Sequence, residues 1–125
     1  FDLPTVLLPG QRLSNVCGRL HLEGARVRGY EIHAGRTDGP ALKRPAVLLD
    51  DGTTDGAISP DGQIMATYLH GLFEDTAACT ALLRWAGLSQ PLEIDHTARR
   101  EQALDRLADT IESTCDLAHM VQLVP

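Results

Sequence analysis

Three Asp-Gly pairs lie close together in the middle of this chain and constrain its fold more than any other feature. They are Asp51-Gly52, Asp55-Gly56 and Asp61-Gly62. Asp-Gly pairs favour tight turns because glycine accepts the positive φ angles that hairpin turns require. Their close spacing leaves room only for short strands between the turns. The third pair follows Pro60 and separates residues 57–59 from residues 63–69, which predicts a β-hairpin.

Strand patterns fill the chain up to about residue 70. A run of apolar residues and glycine alternates with polar residues, which is the period of a half-buried strand. Gly24 then allows a turn, and residues 26–35 are predicted to return as the next strand. A short apolar run follows at residues 46–49. In the first of these strands, before Gly24, the residues that alternate with polar neighbours are Val16, Gly18, Leu20 and Leu22.

Helical patterns fill the second half. Residues 74–86 are rich in Ala and Leu and end at Gly87, and Asp95 is a suitable cap for a second helix. We expect the apolar stripe of that second helix to pack on the sheet. Asp116 is placed to cap a short last helix. The apolar stripe of the second helix consists of Leu104, Leu107, Ala108, Ile111 and Cys115. The short last helix would pack Leu117, Met120, Val121 and Val124 inward.

Composition narrows the class of protein. A chain of 125 residues that is 43% apolar is expected to form one domain over residues 1–125, and strands followed by helices predict an α/β or α+β fold with helices covering a sheet. The net charge of −6 argues against nucleic acid or an anionic membrane as partner. No apolar run approaches the roughly 18 residues that span a bilayer.

The cysteines and histidines predict neither a disulfide framework nor a metal site. Cys17, Cys79 and Cys115 are far apart and odd in number, which fits reduced thiols in the cytoplasm. We expect Cys79 and Cys115 to be buried in helices and Cys17 to lie on a strand. The five histidines are scattered, so we expect no bound metal.

Two segments carry candidate chemistry. His70 ends an apolar strand and is followed by Gly71 and a helix start, a placement that suits general acid/base work. A histidine that only forms a hydrogen bond at the strand end is the alternative. Glu31 and His33 point to one face of another strand, where they could support a site or form a structural buried pair. We expect both to lie near His70.

Three segments resemble the C-terminal portion of the cobyric acid synthases, glutamine-dependent amidotransferases of cobalamin biosynthesis. They are Gly-Tyr-Glu-Ile-His-Ala-Gly-Arg-Thr at 29–37, Asp-Gly-Ala-Ile-Ser at 55–59 and Thr-Tyr-Leu-His-Gly-Leu-Phe at 67–73. Residues 100–108 and 116–117 are also similar. The cobyrinate diamide synthases share the third type of segment but resemble the first less closely. A peptidoglycan-precursor amidotransferase is a more distant relative.

The resemblance implies part of a class I glutaminase domain of the flavodoxin-like type, with a strand-rich N-terminal half and a helical C-terminal half. His70 matches the general base of that family. Its cysteine nucleophile sits in a glycine-rich elbow that this sequence lacks, so we expect it upstream of Phe1 and the piece alone to be inactive. The implied substrate is glutamine. In the intact enzyme a synthetase domain uses ATP and magnesium to amidate corrinoid carboxylates, and we expect no cofactor in this chain.

One position departs from most class I glutaminases. They carry a glutamate two residues after the histidine, which orients the ring, whereas this chain has Leu72 there. The resemblance implies that the cobyric acid synthases lack that glutamate as well. Glu74 and Glu31 are candidates to replace it. A non-catalytic binding or scaffolding domain of the same fold remains the alternative function.

Overall fold

A long β-hairpin forms the centre of the protein. A computed structural model describes residues 2–116, in which β1 (Thr5–Leu20) pairs antiparallel with β2 (Arg26–Thr37). The turn between them places Glu23 at φ 56° and Gly24 at φ 64°. The predicted turn at Gly24 and the returning strand are therefore confirmed.

Short strands extend this hairpin on both sides. They are β3 (Val47–Leu49), β4 (Thr54–Asp55), β5 (Ala57–Ile58), β6 (Met65–Ala66) and β7 (Leu69–His70). The larger sheet has the order β4-β3-β1-β2-β7, while β5 and β6 form a separate two-stranded sheet. Every strand pair in the described part of the chain is antiparallel. The predicted hairpin around Pro60-Asp61-Gly62 is the β5–β6 pair.

The first helix closes one face of the sheet. Helix α1 (Thr76–Trp85) begins at Asp75, whose carboxylate accepts hydrogen bonds from the backbone N–H groups of Ala77 and Ala78. It ends before Gly87, which has a φ of 99°. The Trp85 indole donates to the Gly62 carbonyl at 2.7 Å and so ties the helix to the β5–β6 turn. The side of the larger sheet that faces α1 is the core face.

Apolar side chains from the sheet, α1 and the β5–β6 hairpin pack together on the core face. The strands supply aliphatic side chains, and α1 adds small residues that let the helix approach closely. The buried cluster consists of Leu20, Val27, Ala46, Val47, Leu49, Ile58, Leu69, Leu72, Ala78 and Leu82.

The other face of the larger sheet is exposed to solvent among residues 2–116. Directly opposed residues of paired strands point to the same side of a sheet. The register pairs Asn15 with Tyr30, Tyr30 with His70, and Cys17 with Arg28. These residues are exposed or half-exposed, and we call them, with Leu13, the open face.

The C-terminal helix lies in a different compact unit. The chain divides into Phe1–Ile94 and Asp95–Pro125, and α2 (His96–Thr114) belongs to the second. As predicted, Asp95 caps α2: its carboxylate accepts a hydrogen bond from the Ala98 N–H at 2.8 Å. The single domain over 1–125 stays a prediction. The last helix predicted after Asp116 lies outside the described residues.

Two expectations about burial in α2 are wrong. The stripe residues Leu104, Leu107 and Ile111 are exposed, with Leu107 at 55%. They are the only large apolar side chains in nineteen helical residues, which makes the stripe narrow. Cys115 is also exposed, because it is the extended residue that ends the helix and no longer follows the stripe. Cys79 is buried and Cys17 lies on β1, as predicted.

Candidate active site

His70 stands at the end of β7, on the open face. Its strand pairs with β2, and its ring stacks on Tyr30 with centroids 5.0 Å apart and planes 13° from parallel. Gly71 follows with a φ of 91°, a conformation that glycine adopts readily, and lets the chain turn toward α1. The side chain is therefore held by a ring contact on one side and is accessible to solvent on the other.

A backbone hydrogen bond fixes the chemical form of this ring. The Nδ1 atom of His70 lies 2.8 Å from the Tyr68 carbonyl oxygen. A carbonyl oxygen can only accept, so this hydrogen bond requires the proton on Nδ1. The lone pair of neutral His70 then resides on Nε2. An imidazole held in this tautomer can accept a proton at Nε2, which is what a general base does.

Gly29 allows β7 to approach β2 closely enough for this arrangement. A Cβ atom built on Gly29 would lie 1.9 Å from the His70 carbonyl oxygen. Any other residue would force the two strands apart at the position of His70. The first glycine of the Gly-Tyr-Glu-Ile-His segment therefore has a steric role beside the histidine.

Glu31 and His33 share one face of β2, as predicted, but it is the core face and not the open face. They line a cavity of about 680 Å³ together with Asp55, Thr67 and Tyr68. That both lie near His70 and support the site stays a prediction. Their side chains point away from the His70 ring, although Glu31 pairs with Leu69 and His33 stacks on Tyr68, the two residues that precede His70. The reason is the register: His70 opposes Tyr30, and the neighbours of Tyr30 along the strand point the other way.

The His33 ring is fixed by two contacts inside this cavity. It stacks on Tyr68 with centroids 4.5 Å apart, and its Nδ1 atom donates to the Gly35 carbonyl at 2.8 Å. The Tyr68 hydroxyl is 2.5 Å from the Thr37 hydroxyl. Glu31 is only 7% exposed. The stacking and the hydroxyl contact hold Tyr68, the residue before β7, on the core face of the sheet.

Glu74 lies just before α1 and is exposed. Its backbone N–H donates to the Gly71 carbonyl at 3.0 Å, which closes the turn after His70. The Nδ1 atom of His70, which an orienting carboxylate would contact, is hydrogen-bonded to the Tyr68 carbonyl. That Glu31 or Glu74 replaces the orienting glutamate stays a prediction.

Sequence reasoning missed Asp55. Its carboxylate is 7% exposed and accepts hydrogen bonds from the Thr67 hydroxyl, the Tyr68 N–H at 3.0 Å and the Leu69 N–H at 3.3 Å. The Asp-Gly pair indicates a turn, and a turn gives no reason to expect that the Asp55 carboxylate also accepts hydrogen bonds from residues 67–69. The available signal was its place in the Asp-Gly-Ala-Ile-Ser segment, one of the three on which the family resemblance rests.

Metal ligands do not converge in the described residues. Within residues 2–116, no group of three or more His, Cys, Asp and Glu side chains could hold a metal ion. None of the described helices combines the length and the apolar character that crossing a membrane requires.

Comparison with known families gives one match. The family model of the CobB/CobQ-like glutamine amidotransferase domain matches residues 1–78, which is more than half of the 125-residue chain. The chain belongs to this family. The matched part of this CobB/CobQ-like amidotransferase domain includes His70, Asp55 and the whole sheet, and the family implies glutamine as substrate. No solved structure matches the chain.

Proposed function

We propose that this chain is the C-terminal part of the glutaminase domain of a cobyric acid synthase, with His70 as its general base. The observation that carries the proposal is the hydrogen bond from His70 Nδ1 to the Tyr68 carbonyl, which leaves Nε2 as the proton acceptor on the open face. The family supplies the reaction type, which is removal of ammonia from the side-chain amide of glutamine.

The chemistry assigns one role to His70 and one to a cysteine outside this sequence. His70 Nε2 takes the thiol proton, and the thiolate attacks the amide carbon to form a carbon–sulfur bond. The carbon–nitrogen bond then breaks, and the imidazolium returns the proton to the leaving ammonia. Water, deprotonated by the same imidazole, cleaves the thioester to glutamate and restores the thiol.

The finer features of the proposal come from the resemblance of the three segments. They are a flavodoxin-like class I domain, a cytoplasmic location, and transfer of the ammonia to corrinoid carboxylates in a synthetase domain that uses ATP and magnesium. The described residues form a sheet and an N-terminally capped helix, and these elements fit an α/β domain.

The test uses the full-length protein that carries the nucleophile. His70→Ala should abolish glutamine-dependent amidation and leave amidation from added ammonium salts intact, because only the release of ammonia needs the base. His21→Ala is the matched control, since His21 is an exposed histidine in the β1–β2 turn. Undiminished glutaminase activity in His70→Ala would exclude the assignment. Loss of both activities would point to a structural role of His70.

A further inference from the structure

Asp55 is a buried carboxylate that the proposed reaction does not use. It lies on β4, and three donors from residues 67–69 converge on it: one hydroxyl and two backbone N–H groups. Neither of the two ion pairs found among the described residues involves Asp55. The contacts that the structure shows for this buried carboxylate are therefore hydrogen bonds from donors.

One peptide unit joins this carboxylate to the His70 ring. The N–H of Leu69 and the C=O of Tyr68 belong to the same planar amide. The N–H side of this amide donates to Asp55 Oδ2 at 3.3 Å, and to the Thr67 hydroxyl at 3.0 Å. The C=O side accepts the proton of His70 Nδ1 at 2.8 Å. A continuous series runs from carboxylate through amide to imidazole.

Hydrogen bonds in such a series polarise one another. A negative charge at the N–H end of an amide moves electron density toward its oxygen. The Tyr68 carbonyl then holds the Nδ1 proton more strongly and better stabilises the positive charge that His70 gains as a base. In serine proteases a carboxylate in direct contact with the ring does this. Here Leu72 occupies the position at which most class I glutaminases carry the orienting glutamate.

We propose that Asp55 is a positioning residue that acts on His70 through the amide between Tyr68 and Leu69. The coupling itself depends only on this hydrogen-bonded series, whereas its catalytic consequence rests on the proposed function of His70. A purely structural role, in which Asp55 only shapes the turn at residues 67–69, makes different predictions.

The first experiment reads the tautomer of His70 directly. Nitrogen NMR of the labelled 125-residue chain, at a pH where the ring is neutral, distinguishes a proton on Nδ1 from one on Nε2. Asp55→Asn keeps the shape of the side chain and removes its charge, so the fraction with the proton on Nδ1 should fall. An unchanged fraction in a folded Asp55→Asn variant would overturn the proposal.

Thr67→Val distinguishes an effect of the Asp55 charge on the His70 tautomer from an effect of the shape of the turn at residues 67–69. This variant removes the hydroxyl that shares the Leu69 N–H, so Asp55 becomes the acceptor of that group. The fraction with the proton on Nδ1 should stay the same or rise. A fall as large as in Asp55→Asn would show that the turn, and not the charge, sets the tautomer. If Asp55→Asn does not fold, any fall in Thr67→Val overturns the proposal.

The second experiment measures glutaminase activity in the full-length protein. Asp55→Asn should lower kcat about tenfold and leave KM unchanged, because the coupling acts on the proton acceptor and not on glutamine binding. The loss is smaller than the ~10⁴-fold effect of neutralising a carboxylate in direct contact with the histidine. If His70→Ala retained activity, the proposed function would fail, while the tautomer measurement would still decide whether Asp55 and His70 are coupled. An altered KM with unchanged kcat would contradict the positioning role.

Discussion

At the scale of single residues, the closest steric constraint on the site is at Gly29. A methyl group there would overlap the His70 carbonyl oxygen, so Gly29→Ala should displace β7 and reduce glutaminase activity in the folded full-length protein. Gly18→Ala is the matched control, because its Cβ would lie 2.4 Å from the Leu48 carbonyl oxygen, on the β1–β3 side of the sheet. Thermal unfolding should show both variants destabilised. Equal activity per folded molecule in the two variants would contradict the role of Gly29 at His70.

Asp61 gives a prediction about pH. The Ser59 hydroxyl donates to its carboxylate at 2.5 Å, and with the Gln63 N–H and the Arg44 charge it lowers the pKa of Asp61 below the model-peptide value of 3.8. A lowered pKa means that the stabilisation is present above pH 3.8 and is lost as the pH falls through the folded-state value. Ser59→Ala should raise the pKa of Asp61. Carboxyl carbon NMR titration measures it, and an unchanged value would contradict this cause.

The sequence contained enough to predict the orientation of residues within a strand but not the pairing between strands. Alternation alone places Glu31 and His33 on one face. It does not say which residue of β2 opposes His70, and the observed pairing with Tyr30 moves the two candidates to the other side of the sheet. Asp55 was missed for the same reason, since its donors are twelve to fourteen residues away.

At the scale of elements, neighbouring residues in the sequence indicate helix starts and turns correctly, whereas the predicted burial of the α2 stripe is wrong. Asp75 and Asp95 cap the two helices because their side chains accept the N–H groups at the helix starts, an effect that needs only neighbouring residues. The Pro60-Asp61-Gly62 turn is equally local. Burial of the α2 stripe depends on a partner surface, which the sequence of a helix does not specify.

The difference in burial between the core of the sheet and the α2 stripe can be measured as a change in the free energy of unfolding. Leu20 is 1% exposed and belongs to the core cluster, so Leu20→Ala should lower the free energy of unfolding by about 2–5 kcal/mol. Leu107→Ala alters an exposed side chain and should change it by no more than about 0.5 kcal/mol. Urea unfolding followed by circular dichroism checks both. A loss above about 2 kcal/mol in Leu107→Ala would mean that the stripe is covered in solution.

At the scale of the whole molecule, the two faces of the larger sheet carry different groups. The sheet brings His70, Tyr30 and Arg28 to the open face, while the core face holds the cavity and Asp55. His70 is therefore exposed on one side of the sheet, and the Asp55 carboxylate is buried on the other. If His70 is the base, as proposed, the proposed positioning residue Asp55 thus lies on the opposite face from the side chains that surround the ring.

The cysteine on the open face is too far from His70 to serve as its nucleophile. Cys17 lies on β1, two strands away from β7 and two residues along from the row that contains His70. Strand spacing and rise then separate the two Cα atoms by about 12 Å, beyond the reach of a thiol–imidazole hydrogen bond. We therefore predict that the 125-residue chain alone releases no glutamate from glutamine, measured with a coupled glutamate assay. Release that disappears in Cys17→Ser but persists in Cys115→Ser would show that Cys17 is the nucleophile after all.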